Sequence, residues 1–175
     1  MQINLNTQRL TLRSVIQNDW KALQALWIDY NRSEFCKYDA YNPVDDELVY
    51  SRVEGWNCVN HVMKNHHYLA VCYYDNLIGF FSVHPYRESY EIGYCFHSDY
   101  HGHGYASEAL ECLTNYLKTW NASSMYIRTG LNNIPSVNLV MRNGFKCIEE
   151  EQISFYNDAF GNPIYFVGGV FYKVL

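Results

Sequence analysis

Hydrophobic positions recur with two different periods along the first third of the chain. Residues 5–15 alternate between apolar and polar side chains, which predicts a first β-strand. Asn18 can then cap a helix, because the apolar residues after it recur three or four positions apart: Trp20, Leu23, Trp27 and Tyr30. The dipeptide Asn42-Pro43 predicts the start of a second helix, with proline at its first position and acidic residues in its first turn.

The rest of the chain alternates β-rich runs with amphipathic helices. Residues 68–74 and 77–83 predict a tight hairpin, residues 90–96 a further strand, and residues 107–120 a third helix. A short strand at 124–129 precedes a fourth helix that opens with Pro135 and closes with Gly144, and residues 145–174 predict two long strands. The pattern predicts one α+β domain over residues 1–175, with a central, mainly antiparallel twisted sheet of about six or seven strands and about four helices.

Charge and composition argue against nucleic acids, membranes and metals as partners of this chain. The formal charge of −5 and the lack of any Lys/Arg cluster argue against a nucleic-acid partner. No apolar run reaches the ~20 residues that span a bilayer, and the N-terminus lacks the features of a signal peptide, so we expect a cytoplasmic protein without a membrane partner. The cysteines contain no C-x-x-C pair, and Cys58, His61, His66 and His67 lack a strict ligand spacing, so we expect no metal.

The strand at 90–96 leads through a glycine-rich loop directly into the third helix. Gly102 and Gly104 let a ligand approach the loop backbone without a Cβ atom in the way. The first N–H groups of a helix have no partner inside the helix, and the helix dipole is positive there. The loop therefore predicts a phosphate or pyrophosphate site, with a turn that binds no ligand as the alternative.

Two common phosphate-binding motifs do not fit this loop. A Walker A loop needs Gly-Lys-Ser/Thr, which does not follow the glycines. A dinucleotide fingerprint needs a third glycine or an alanine where Ser107 stands, and an acidic residue about 20 positions further on. Tyr126-Ile127-Arg128 offers no such residue. An NAD(P)-dependent oxidoreductase is therefore the less favoured alternative.

These segments together resemble the GNAT N-acetyltransferases, within the branch that includes ribosomal-protein N-terminal acetyltransferases. That family has an acyl-CoA loop, Gln/Arg-x-x-Gly-x-Gly/Ala, after a strand of the type E-[IL]-G-Y, and residues 91–106 read E-I-G-Y-C-F-H-S-D-Y-H-G-H-G-Y-A. A second motif, N-x-x-S followed by Gly-Phe, is matched by Asn133, Ser136 and Gly144-Phe145. The resemblance implies the GNAT fold, with acetyl-CoA as the acetyl donor.

The resemblance also implies the contacts of the cofactor. Backbone groups of residues 94–97 would pair with the pantetheine arm, and N–H groups of residues 102–106 would hold the pyrophosphate. His101 stands where the family has Gln or Arg, which implies a weaker and pH-dependent contact. Arg142 would reach a phosphate, with a helix-end cation as the alternative. The implied cofactor-binding residues are Cys95, Phe96, His97, His101, Gly102, His103, Gly104, Tyr105, Ala106, Asn133 and Arg142.

Two residues are predicted to move protons. Val140 stands where many family members place the Tyr that protonates the leaving thiolate, so the acid role falls to Ser136, directly or through water, with a local helix cap as the alternative. Strand alternation places Glu91, Gly93 and Cys95 on one face, as a notch beside the loop. The family's general-base glutamate lies on this strand, so Glu91 is the predicted base, with a structural or substrate-pairing carboxylate as the alternative.

We therefore expect an N-acetyltransferase in which a primary amine attacks acetyl-CoA directly in a ternary complex. A GNAT-like module that binds acyl-CoA without turnover is the alternative, suggested by Val140 and His101. The sheet is expected to open between the strands of Glu91 and Ile127, so that the pantetheine arm can insert.

The acceptor is expected to be a small-molecule amine or a protein N-terminus, and the sequence allows a homodimer. Its site should lie between residues 30–67 and 155–166, which are rich in aromatic side chains. Four carboxylates of the first segment can attract a cation: Glu34, Asp39, Asp45 and Asp46.

Overall fold

A computed structural model describes residues 2–175 as eight strands and four α-helices. The strands are β1 (Asn4–Asn6), β2 (Leu10–Ser14), β3 (His67–Tyr73), β4 (Asn76–Tyr86), β5 (Ser89–Phe96), β6 (Ser124–Gly130), β7 (Lys146–Asn157) and β8 (Pro163–Val174). The helices are α1 (Trp20–Asn31), α2 (Asp46–Val62), α3 (Tyr105–Lys118) and α4 (Ile134–Arg142). None of these helices is both long and apolar enough to cross a membrane.

All eight strands form one sheet, in the order β1-β2-β3-β4-β5-β6-β8-β7. Neighbouring strands are antiparallel except for β5 and β6, which are parallel. The predicted α+β architecture with a mainly antiparallel sheet is confirmed. The sheet has one strand more than the upper expectation because the run at 5–15 is divided by a turn, in which the Thr7 N–H donates to the Leu10 carbonyl over 2.8 Å.

The start of α2 differs from the prediction. The helix begins at Asp46, and the Asp45 carboxylate accepts hydrogen bonds from the N–H groups of Glu47 and Leu48. A carboxylate just before a helix accepts hydrogen bonds from the N–H groups of the first turn, whereas a proline side chain offers them no acceptor. The prediction that Asn42-Pro43 opens this helix was therefore wrong, whereas Pro135 and Gly144 do bracket α4 as predicted.

One face of the central strands is fully covered by α3 and α4, and we call it the closed face. Its side chains alternate along β3 to β6, and each is at most 1 % exposed: Leu69, Phe81, Val83, Ile92, Met125 and Ile127. They pack against Leu110 and Leu113 of α3 and Val140 of α4. Burying this many apolar side chains supplies most of the free energy that favours the folded state.

The opposite face, which we call the open face, is covered only in part. Helices α1 and α2 pack over Ala70 and Cys72 of β3, where Trp27 is buried. Further along the sheet the side chains on this face remain partly exposed: Tyr68, Phe80, Ser82, His84, Glu91, Gly93 and Arg128. The open face is therefore a shallow groove with a mixed aromatic and polar floor.

Candidate active site

The sheet opens between β5 and β6. The two strands pair only through Tyr90 with Met125 and Glu91 with Tyr126, so residues 92–96 of β5 have no partner on the β6 side. On its other side β5 stays paired with β4 as far as Phe96. Because an unpaired strand edge presents N–H and C=O groups to an extended ligand, this opening can receive a pantetheine arm. The predicted opening between the strands of Glu91 and Ile127 is confirmed.

The glycine turn lies where β5 leads into α3. Gly102 and Gly104 both have φ of +79°, a left-handed conformation that favours glycine, and Gly104 is the N-cap of α3. A Cβ atom at Gly102 would have no neighbour within 4 Å, and the turn is exposed from residue 101 to residue 104. The first N–H groups of α3 therefore remain accessible to an anion, which fits the pyrophosphate site that the sequence implies.

Arg9, which the sequence analysis missed, fixes this turn. Its guanidinium donates to the His103 carbonyl over 3.0 Å, pairs with the Glu108 carboxylate at 2.7 Å and lies 4.6 Å from the ring centroid of Tyr105. Arg9 belongs to the β1–β2 turn, far from the glycines in sequence. Nothing in the local pattern around residue 9 points to the contact, because the folding of the sheet creates it.

Two of the three histidines in this loop form hydrogen bonds with protein atoms. His101 Nε2 lies 2.9 Å from the Phe96 carbonyl, so Nε2 is the protonated nitrogen and the ring ties the turn to the end of β5. His97 Nδ1 accepts from the Asp99 N–H over 3.3 Å. In the neutral ring of His101, the other nitrogen carries a lone pair, so only the protonated ring offers a second N–H to a phosphate.

A hydrogen-bonded hydroxyl pair lies beside the opening, on the closed face of the sheet. The Tyr94 hydroxyl is 2.6 Å from Ser136 Oγ, where β5 faces the first turn of α4. Burial raises the pKa of Tyr94 to about 12, against the opposing effect of the Ser136 hydrogen bond, so the phenol keeps its proton at neutral pH. The N-cap of α4 is Asn133, whose side chain accepts a hydrogen bond from the Ser136 N–H over 3.3 Å. The hydroxyl of Ser136 therefore does not cap the helix.

The remaining predicted residues of α4 take different places. Val140 is fully buried and contributes to the core, so no polar group stands at that point of the helix. Arg142 lies in the last turn of α4 and is exposed.

On the open face, Glu91 is held in a network of charges. Glu91 Oε2 forms an ion pair with Arg128 Nη1, and Arg128 also donates to the Tyr86 hydroxyl over 2.9 Å and lies 3.2 Å from the Glu151 carboxylate. Glu91, Gly93 and Cys95 do share one face, as alternation requires. The space at Gly93 is occupied by its neighbour, because a Cβ there would lie 2.6 Å from Ser82 Oγ.

The two segments expected to bind the acceptor meet at the rim of this groove. The Tyr156 hydroxyl of β7 donates to the Asp39 carbonyl over 2.7 Å. Burial by surrounding protein atoms raises the pKa of the Asp39 carboxyl, which accepts a hydrogen bond from the adjacent Ala40 N–H.

Cys95 of β5 is not suited to act as a nucleophile. Burial raises the pKa of its thiol, so the thiol stays protonated at neutral pH.

Two of the four acidic residues expected at the rim are structural instead. Asp45 caps α2, and Asp46 lies 2.8 Å from the Lys21 ammonium and accepts from Gln24. Asp45 is therefore committed to the start of α2, and Asp46 is shared between Lys21 and Gln24.

Comparison with known proteins agrees with this geometry. An acetyltransferase (GNAT) domain model matches residues 9–146. The chain is 25% identical over 149 residues to the uncharacterized N-acetyltransferase YnaD of Bacillus subtilis, covering 82% of this chain and 83% of that protein. An acetyltransferase of the GNAT family from Bacillus anthracis has a TM-score of 0.79 at 20% identity, with 98% of each chain covered.

A further solved structure is that of a ribosomal-protein acetyltransferase. RimL, a ribosomal L7/L12 alpha-N-protein acetyltransferase in complex with coenzyme A, has a TM-score of 0.80 at 17% identity, covering 99% of this chain and 98% of that one. The family match favours acyl transfer over the dinucleotide-dependent alternative. With its sheet opening, its glycine turn and a family match over most of its length, the chain belongs to the GNAT acetyltransferase family.

Proposed function

We propose that this protein transfers the acetyl group of acetyl-CoA to a primary amine, by direct attack within a ternary complex. The observation that carries the proposal is that one opening in the sheet is accessible from two sides. The glycine turn and the Tyr94–Ser136 pair lie beside the opening on the side of α3 and α4, and the polar groove lies on the other face. Donor and acceptor can therefore approach the same point of β5 without competing for space.

The residues around the opening fit the donor. The backbone edge of Cys95, Phe96 and His97 is proposed to pair with the pantetheine arm. The turn from His101 to Ala106, which includes Gly102, His103, Gly104 and Tyr105, is proposed to hold the pyrophosphate with its N–H groups. Asn133 and Arg142 are proposed to contact the cofactor from α4.

The groups proposed to stabilise the leaving sulfur and the attacking nitrogen lie on opposite sides of β5. Ser136, with Tyr94 as its partner, is proposed to donate a hydrogen bond and then a proton to the sulfur that leaves. Unpaired N–H groups of residues 92–96 are proposed to stabilise the oxyanion. Glu91 is proposed to stand beside the attacking amine, where its negative charge favours the positive charge that develops on nitrogen.

The lower pKa of α-amino groups favours them over lysine-like amines as acceptors. An amine must be neutral to attack, which costs about 1.4 kcal/mol at pH 7 for an α-amine with pKa near 8, and about 4.6 kcal/mol for a lysine-like amine with pKa near 10.4. The similarity to an alpha-N-protein acetyltransferase supports the same choice. A protein N-terminus or a small molecule with an α-amine is therefore the proposed acceptor.

A thiol-release assay tests the proposal. Acetyl-CoA would be offered with four acceptors: a tetrapeptide with a free N-terminal serine, the same peptide with its N-terminus blocked, spermidine, and lysine with a blocked α-amine. We expect release with at least one amine, faster with the free peptide than with blocked lysine, and none with the blocked peptide. Binding of CoA without release for any amine would instead support the acyl-CoA-binding module.

A further inference from the structure

Four residues form a square on the floor of the open face. Ser82 of β4 is paired with Gly93 of β5, and His84 is paired with Glu91 in the next position on the same face. Gly93 lies in the part of β5 that faces the opening. Since residues two apart in a strand lie about 7 Å apart, the imidazole of His84 stands within one side-chain length of the point where an amine would attack.

His84 is placed to exchange protons with a ligand in the groove. Neither of its ring nitrogens has a hydrogen-bond partner among residues 2–175, yet neither is shut off from solvent. His66 differs, because its Nε2 is buried without a partner. The two rings lie 4.2 Å apart by their centroids, and Tyr68 contacts both, so the His84 ring has aromatic neighbours on the β3 side.

Glu91 is less free to take a proton. Its Oε2 is occupied by Arg128, which is itself shared with Glu151 and Tyr86. Glu91 and Glu151 share this one guanidinium, so it neutralises only part of the negative charge of Glu91, which is paired with His84 across the strands. Such a charge stabilises an imidazolium that forms next to it.

We propose that His84 is the catalytic base, and that Glu91 stabilises its protonated form. As the neutral amine forms its bond to the acetyl carbon, one N–H proton passes to an imidazole nitrogen of His84. The carbon–sulfur bond then breaks, and the thiolate takes a proton from the Tyr94–Ser136 pair. One proton leaves the amine and one reaches the sulfur, and exchange with solvent restores both groups. This assignment rests on the proposed function.

The surroundings keep the base neutral before the reaction. Burial lowers the pKa of His84 from its usual 6.5, while Glu91 opposes that shift. The other groups that face it are His66 and Tyr68 from the β3 side, with Arg52 of α2 beyond Tyr68. Because only the neutral ring accepts a proton, protonation of His84 should add a second acidic limb to the kcat/KM profile at a pH below 6.5, beneath the limb that ionisation of the amine itself produces.

His84→Ala and His84→Gln test the assignment, with His66→Gln as the matched control on the neighbouring ring. The acceptor is the panel amine that the wild type acetylates fastest. We expect both His84 variants to lose about 10² to 10⁴ in kcat at pH 7 with an unchanged KM for acetyl-CoA, and to lose the limb below pH 6.5 while the limb set by the pKa of the amine remains. Imidazole in the buffer should restore part of the activity of His84→Ala. His66→Gln should change kcat by no more than about threefold.

The outcomes separate the two proposals. If the wild type acetylates an amine and His84→Gln keeps the limb below pH 6.5 and most of its rate, the base assignment is overturned and the proposed function stands. Equal losses in His84→Ala and His66→Gln, without rescue by imidazole, would reduce His84 to a packing role. If the wild type acetylates none of the amines, the proposed function fails and the assignment fails with it.

Discussion

The two faces of the central sheet are built from the same strands and have opposite character. Phe81 points to the closed face and is fully buried, whereas its neighbour Phe80 points to the open face and remains partly exposed. The same contrast separates Ile92 from Glu91. Alternation therefore separates two functions within each strand. The buried residues pack against α3 and α4, and the residues between them can contact a ligand on the open face.

The largest expected effect is on stability, and it contrasts Phe81 with Phe80. Phe81→Ala should lower the free energy of unfolding by about 3–5 kcal/mol, because it leaves a cavity beside Tyr94 and Phe96. Phe80→Ala should cost about 1–2 kcal/mol, because its ring is already partly in water. Urea unfolding measures both, and equal losses would contradict the distinction between the faces.

The second effect concerns the glycine turn at the edge of the closed face. Wild-type protein with CoA at about 100 times its Kd should gain about 2.7 kcal/mol of stability, and Gly104→Glu should remove that gain by placing a side chain and a negative charge at the pyrophosphate site. Gly161→Glu is the control, because Gly161 also has a positive φ and no neighbour near its Cβ position. CoA-dependent thermal shifts report the difference. A retained shift in Gly104→Glu would remove the turn from the cofactor site.

The third effect tests the hydroxyl pair across the sheet from His84. Ser136→Ala should lower kcat about tenfold, or ~1.4 kcal/mol, because the Tyr94 phenol remains to contact the sulfur. The cap of α4 should survive, since Asn133 bonds the backbone of residue 136 and not its hydroxyl. Steady-state kinetics should show an unchanged KM for acetyl-CoA, and Ser136→Thr should keep more activity than Ser136→Ala. A full rate in Ser136→Ala would leave the hydroxyl without a catalytic role.

The smallest effect concerns a link between α1 and the loop after β5. Asp29 accepts hydrogen bonds from the N–H and hydroxyl of Ser98, at 2.8 and 2.7 Å. Burial by itself would raise the pKa of Asp29, but these hydrogen bonds outweigh it and lower the pKa below 3.8. A lowered carboxyl pKa stabilises the folded state above pH 3.8, and that stability is lost as pH falls through the folded-state value.

Asp29→Asn should therefore lower the free energy of unfolding by about 1 kcal/mol at pH 7, with the difference shrinking below pH 3.8. Asp99→Asn serves as the control, because the Asp99 side chain is 80% exposed. Unfolding curves at pH 7 and at pH 3 give the comparison. A deficit that stays constant with pH would mean that the charge of Asp29 does not matter.

The sequence by itself determined the order of the elements and the location of the glycine turn. Both depend on short-range effects: the period of apolar residues, the left-handed conformation of Gly102 and Gly104, and the unpaired N–H groups at a helix start. The alternation of β5 also placed Glu91 and Cys95 on one face. Where two local signals competed, as Pro43 and Asp45 did for the start of α2, the pattern could not choose between them.

Only the tertiary structure decided which side chains meet. Arg9 reaches the turn beside His103, Arg128 pairs with Glu91, Tyr94 meets Ser136, and His84 faces Glu91 across two strands. Each contact joins residues that are distant in the chain, or depends on the register between neighbouring strands. Register is set by the burial of a whole face of the sheet, and a slip of one residue would turn every side chain to the other face. No single segment of the sequence contains that information.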